Sequence, residues 1–395
     1  MKICVMTSVY ALAPDDRHAS FLVESHAQLQ KRGHEITVLA PSYHGLKTHV
    51  IDGVDVIRFR YFASRWENLT HGDGAPGRVS NPFYFAMAIP YVISGAINAL
   101  FSCKKGCFDV VHVQWPFPHA VWGIAVKWAY GIPLVYTFHG AEILLAERFA
   151  FVRWFLKWAL KHADAITSNS SFTASKVSKL TTQAVQIIPY GASVETRAYQ
   201  KTSKPEAGPK RLLFVGRLIP RKGLRYLIEA LPFIKTDHDV MLDVVGVGPE
   251  LEFCEQLADQ LGVSDRINFR GFVTNDKLQD LYAHADVFVL PSIVDTNGDT
   301  EGLGVVLIEA MSFKTPVVAS AVGGIPDVVT DNETGLLVTE KDPSALASAL
   351  SRVLTDQQFS WQLAENGFHN TSEYFDWDRI TDKLEKVYRR ALGTL

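Results

Sequence analysis

Short, unbroken runs of Val, Ile and Leu, each followed by a helix-length segment, constrain this chain more than any other feature. The first half reads "KICVMTSV", the helical "FLVESHAQLQKRG", then "HEITVLAP", "VDVIRFR", "FDVVHVQW", "IPLVYTFHG", "ADAITSNS" and "VQIIPYG". These runs are continuous rather than alternating, the pattern of parallel strands covered on both faces. The segments between them are long enough for crossover helices, so a doubly wound sheet follows. A polar stretch with two prolines, "QKTSKPEAGPK" (Gln200 to Lys210), reads as a linker. The pattern then restarts with "RLLFVG", "VMLDVVG", "RINFRG", "DVFVLP", "TPVVAS" and "TGLLV". The expectation is an α/β chain of two doubly wound domains, residues 1–200 and 201–370, facing each other across a cleft. The last segment, "DWDRITDKLEKVYRRAL", has an apolar stripe at Ile380, Leu384, Val387, Tyr388 and Leu392. Residues 371–395 are therefore expected to form a helix that packs back on the first domain.

Composition narrows the function. A chain of 395 residues exceeds one ordinary core, in keeping with two domains. A net charge of −3 argues against a nucleic-acid surface. The four cysteines, Cys4, Cys103, Cys107 and Cys254, are sparse and fit a reducing compartment. Cys103 and Cys107 lack a second pair to complete a zinc site. "MKICVMTSVY" has no sustained apolar run of the secretory type, so cytoplasmic residence is expected. The stretch "FYFAMAIPYVISGAINALF" (Phe83 to Phe101) is nearly long enough to span a bilayer, but Pro90, Gly95 and Asn98 favour a buried or membrane-facing helix. "RFAFVRWFLKWALKHA" (Arg148 to Ala163) mixes Phe149, Trp154 and Trp158 with Arg and Lys. That mixture suits peripheral contact with the inner face of an anionic membrane.

The chemistry concentrates in the second half. "EGLGVVLIEA" sets Glu301 and Glu309 eight residues apart, two helical turns plus about 80°. On one continuous helix they would not face one target. A helix starting near Gly304 leaves Glu301 on the loop at a strand's carboxyl end and Glu309 inside, so the two can hold different ends of one long ligand. Gly302 and Gly304 let backbone N–H groups approach an anion. In "FVGRLIPRKGLRYL", Arg217 and Lys222 flank the next strand–helix junction, beside Gly223, and suit a diphosphate.

At this point the chain resembles the retaining glycosyltransferases called family GT4, built on the GT-B fold of two Rossmann-like domains. "EGLGVVLIEA" is similar to the family's E-x7-E signature. "FVGRLIPRKG", "VVGVGPELE", "INFRGFV" and "TPVVASAVGGIPDVVTDNETGLLV" follow its other landmarks in order. The resemblance implies a metal-independent transfer, with no cofactor, of a hexose-type sugar from a nucleotide diphosphate. UDP is expected over GDP, and the acceptor is expected to be a saccharide or lipid-linked. Arg217 and Lys222 would neutralise the diphosphate, Glu309 would bind the ribose hydroxyls and Glu301 the sugar hydroxyls. Amides from Gly302 through Leu303, Gly304 and Val305 would assist. Gly271, Phe272 and Val273 would line the base pocket, and His139 of "TFHG" would reach a far sugar hydroxyl. The catalytic set is thus Glu301, His139, Arg217 and Lys222. "DHD" (Asp237 to Asp239) and "DWD" (Asp376 to Asp378) are read as chance triplets, not a metal site.

Three positions depart from the family pattern. The first loop, "ALAPDDRHASF", lacks paired glycines, with His18 and Ser20 as substitutes; Gln114 stands where a second histidine is usual; and Tyr190 stands where Asn is frequent. Two other readings share the architecture. One is a nucleotide-sugar epimerase or hydrolase, and the other an inactive glycan-binding homologue.

Overall fold

The computed structural model describes residues 1–14, 16, 19–71, 82–104, 108–192 and 208–394. The chain divides into two compact units, Met1–Tyr190 with Trp377–Leu395, and Gly191–Asp376. The first division therefore falls after Tyr190, and the return to the first unit begins at Trp377. Most of the expected linker, His18 and Cys107 lie outside the described residues.

The first unit is built on β1 (Lys2–Met6), β2 (Glu35–Pro41), β3 (His49–Ile51), β4 (Val54–Phe59), β5 (Val110–Gln114), β6 (Leu134–Phe138), β7 (Ala165–Ser168) and β8 (Val185–Ile187). They lie in the order β3-β4-β2-β1-β5-β6-β7-β8, parallel throughout except where β3 pairs antiparallel with β4. The strand runs do not reveal β3, which is three residues long. Its signal is the turn: Asp52 and Gly53 both take positive φ, 48° and 80°, the geometry that an Asp-Gly hairpin needs.

The helices of this unit are α1 (Ser20–Lys31), α2 (Pro82–Ser102), α3 (Pro116–Tyr130), α4 (Ala141–Arg148), α5 (Ala150–Leu160) and α6 (Ser171–Val177). The aromatic and basic stretch from Arg148 to Ala163 spans the end of α4 and all of α5, with Phe149 in extended backbone between them.

The second unit holds β9 (Lys210–Val215), β10 (Val240–Val245), β11 (Ile267–Gly271), β12 (Val287–Leu290), β13 (Val317–Ser320) and β14 (Leu336–Val338). Their order is β11-β10-β9-β12-β13-β14, and every pairing is parallel. The order reverses between β9 and β12, the switch point where open α/β sheets bind ligands. Its helices are α7 (Leu224–Ala230), α8 (Leu251–Gln260), α9 (Asn275–His284), α10 (Val305–Ser312), α11 (Pro343–Thr355) and α12 (Gln357–Tyr374).

The chain then returns to the first unit as α13 (Trp377–Ala391). Ile380, Leu384, Val387 and Tyr388 are buried there, each contributing about 1.5–3 kcal/mol of apolar burial, while Leu392 is half-buried. Polar contacts tie the same helix to the turn after α1. Arg32 bonds to Asp378 and Asp382, and His34 Nε2 meets Glu385 Oε1 at 2.8 Å.

Candidate functional site

Both units gather their polar side chains at the carboxyl ends of parallel strands. In the second unit the core of the site is an ion cluster. Lys222 Nζ lies 2.5 Å from Glu301 Oε2, and Arg221 Nη1 lies 3.5 Å from the same oxygen. Arg221 also reaches Asp299 Oδ2 at 3.2 Å and donates to the Thr300 carbonyl. Glu301 is buried. Burial alone would raise its pKa, but Lys222, Arg221 and the Gly302 amide more than offset this, and the carboxyl is held below its ordinary value. Arg221 was hidden from sequence reasoning by its neighbours in "PRKG", where it looks like one more surface cation.

Close backbone packing holds this cluster. A Cβ at Gly223, where φ is +69°, would stand 1.9 Å from the Pro291 carbonyl oxygen. A Cβ at Gly323 would stand 2.0 Å from the Glu301 carbonyl oxygen, and Gly324 N donates to that same oxygen. Any side chain at either glycine would push the loops apart.

Gly304 takes the left-handed conformation and opens α10, whose first turn has no side-chain cap. Leu307 N donates to the Gly304 carbonyl at 2.8 Å, and the amides of Val305 and Val306 before it are placed for an anion. Glu309, about one turn into α10, is buried, and Tyr282 donates to its Oε2 at 2.8 Å. This tyrosine from α9 settles part of the cost of burying a carboxylate. Nothing in "KLQDLYAHA" distinguishes it from a core aromatic. Arg217 is exposed just past β9. Gly271 ends β11 and accepts from Gly246 N, while Phe272 is exposed and Val273 half-buried.

The first unit has a different site. His139 follows β6 and is boxed by rings, stacked on Trp115 at 4.0 Å and flanked by Phe21 and Tyr190. Its Nε2 meets Gln114 Oε1 at 2.8 Å, and its Nδ1 is bonded to the Tyr190 hydroxyl. With the amide oxygen as acceptor, Nε2 carries the proton and Nδ1 accepts from Tyr190. Burial pushes this imidazole down to about 3, so it is neutral. Both ring nitrogens are engaged within the first unit, so a sugar hydroxyl would reach the ring by displacing one of these partners. The partners are the two positions, Gln114 and Tyr190, where the chain departs from its family's pattern.

The chain of contacts continues inward. Gln114 Nε2 lies 3.2 Å from His112 Nε2, and His112 Nδ1 lies 2.9 Å from the Tyr388 hydroxyl of α13. Glu142, one turn beyond His139, accepts from the His139 amide, and its other oxygen has no partner among the described residues. Burial pushes Glu142 up to about 7.

Two doubly wound α/β units, the second with a cation–carboxylate cluster beside an uncapped helix start at its strand ends, form the class of two-domain α/β protein suited to a phosphorylated ligand. The comparisons give it a family. The description "Glycosyltransferase Family 4" matches residues 19–196, and "Glycosyl transferases group 1" matches residues 195–370. The phosphatidyl-myo-inositol mannosyltransferase of Mycobacterium leprae is 31% identical over 363 residues, 87% of this chain and 92% of that one. Sucrose-phosphate synthase of Thermosynechococcus elongatus superposes with a TM-score of 0.79 at 22% identity, covering 100% of both chains. HepE of Anabaena, solved with UDP-glucose, gives 0.71 at 19% identity, also over 100% of both. The chain belongs to glycosyltransferase family 4 and has the GT-B fold. It is a glycosyltransferase that uses a nucleotide-sugar donor.

Proposed function

We propose that this enzyme transfers a hexose-type sugar from a nucleoside diphosphate, UDP rather than GDP, with retention of anomeric configuration and without a divalent metal. The observation that carries this reading is the Lys222–Glu301–Arg221 cluster beside the uncapped start of α10. Lys222, Arg217 and the amides from Gly302 to Val305 take the diphosphate charge that a metal would otherwise take. Glu301 holds hydroxyls of the transferred sugar, and Glu309 holds the ribose. Gly271, Phe272 and Val273 line the base. His139 serves the first domain's side of the reaction as a positioned neutral ring.

The bond from the anomeric carbon to the diphosphate oxygen breaks through an oxocarbenium-like transition state. The acceptor oxygen bonds to the same face, and its proton passes to the departing phosphate. The protein's part is positioning and electrostatic stabilisation.

The acceptor is a saccharide or is lipid-linked, and the Mycobacterium leprae relative, named for phosphatidyl-myo-inositol, supports the lipid-linked form. Residence is cytoplasmic, in envelope polysaccharide or glycolipid assembly. Turnover of a panel of UDP- and GDP-sugars, with and without acceptor and with a chelator, tests the reading, with the product anomer read by NMR. Loss of activity with chelator, or an inverted product, overturns it. Nucleoside diphosphate release that ignores acceptor favours an epimerase or hydrolase.

A further inference from the structure

The first domain carries a surface that neither site uses. By length and composition α2 could cross a membrane, yet it is knitted into the domain. Met87, Tyr91, Gly95 and Ala99, four residues apart, are its buried positions. A Cβ at Gly95 would lie 2.2 Å from the Trp122 ring, and Trp122 Nε1 donates to the Val92 carbonyl at 3.0 Å. The outer positions, Phe85, Ile89, Ile93, Ile97 and Phe101, are also four apart and are 47% to 71% exposed. The two series are offset by two residues, which places them about 200° apart around the helix.

This stripe is part of a wider layer. α2 lies beside α3 and α3 beside α5, all over the same hydrophobic core on one side of the sheet. Trp128 of α3 and Phe151 and Trp154 of α5 are exposed as well. The three helices contain Lys127, Arg153 and Lys157 but no Asp or Glu. Lys127 is taken by Asp164, whereas Arg153 and Lys157, with Arg148 and Lys161 at the ends of α5, are exposed. Trp158, expected among the contact residues, is half-buried and packs edge-on against Trp128. A carboxylate-free layer in a chain of net charge −3 marks a strong charge asymmetry.

We propose that this three-helix layer docks on the surface of an anionic phospholipid bilayer. The α2 stripe enters the boundary between headgroups and acyl chains, and the α5 cations meet lipid phosphates. A contiguous exposed apolar face needs a cover, and the cations beside it select an anionic one. A second copy of this chain fits poorly. A two-fold contact through this patch would cover the α5 cations with a surface whose three helices offer no Asp or Glu to pair them. The inference does not rest on the sugar, the base or the retaining mechanism.

Flotation of the full chain with vesicles tests it, using phosphatidylcholine alone or with about one-third phosphatidylglycerol. The expected result is flotation with the anionic vesicles, reversed by high salt. Two variants should each weaken it by about tenfold or more, namely Ile89→Glu with Ile93→Glu and Ile97→Glu on α2, and Arg153→Glu with Lys157→Glu on α5. The α5 pair is fully on the surface, so it keeps the test decisive if the α2 triple variant misfolds. No flotation with either vesicle overturns the proposal, as does flotation that both variants leave unchanged. A dimer that the α2 variant converts to monomer would assign the face to a second copy. Retention in cell membranes through alkaline extraction would make α2 a span. Either outcome would also overturn it.

Discussion

The two strand-end sites differ in how they handle charge. In the second domain Lys222 and Arg221 hold a buried Glu301 ionised, so cation and carboxylate stabilise one another before any ligand arrives. In the first domain His139 is neutral, with both nitrogens engaged, and Glu142 is pushed up to about 7. The cations of such a cluster are already held at the strand ends, where they can also meet a charged ligand. A neutral hydrogen-bonded ring offers no charge and works through the hydrogen bonds it makes. The difference teaches that the second domain keeps a charged site ready and the first a neutral one, which under the proposed function separates neutralising from positioning.

Acid should break this contrast most visibly. Burial pushes His26, His112 and His139 down to about 3 and His119 to about 4, and all four lie in the first domain. The unfolded chain binds their protons below about 6.5 and the native one does not, so stability falls with pH through that window. Glu142 acts in the opposite sense: its folded pKa is raised, so its contribution grows as pH falls from about 7. The net shift between neutral pH and about 5.5 should be about two to three powers of ten in the first domain's folding equilibrium. Glu301 has a depressed pKa, and its contribution is lost only below the ordinary carboxylate range. Of the tryptophans, Trp361 alone lies in the second domain, so an acid titration of tryptophan fluorescence reads the first domain. A transition only below pH 4 would contradict the neutral-histidine account.

Lys222→Ala should come next, slowing turnover by about 10²–10³-fold with a smaller change in donor affinity. Single-turnover rates would separate the two, and an unchanged rate would remove Lys222 from the diphosphate. Glu309→Ala should weaken nucleotide binding by about 10–100-fold, read by calorimetry, with turnover at saturation largely kept. The smallest effect should come from Tyr190→Phe, which frees Nδ1 of His139. Acceptor KM should shift by about tenfold or less, the donor KM should not move, and the imidazole Nδ1 resonance should change. A donor effect equal to that of Lys222→Ala would erase the division between neutralising and positioning halves.

Much of this was legible from residue order. The continuous strand runs yield every parallel strand of both sheets, because most of these strands are covered on both faces and Val, Ile and Leu dominate them, even with Asp243 buried in β10 and His112 in β5. The spacing in "EGLGVVLIEA" separates Glu301 from Glu309 before any coordinates, since Gly304 marks where a helix can begin. β3 was missed because three residues carry too little pattern, although "DG" announces its turn. Arg221 and Tyr282 were missed for another reason: a cation among cations and an aromatic on a core helix show no distinguishing periodicity.

What the sequence determined by itself is therefore what local rules govern: strand and helix identity, two doubly wound units, and the glycine and carboxylate positions that suit a pyrophosphate ligand. Tertiary structure alone decided the partners. It closed Gln114 and Tyr190 onto His139, set Tyr282 against Glu309, and turned one face of α2 inward and the other outward. The reason is that burial, and with it the charge state of each histidine and carboxylate, depends on residues far apart in the chain.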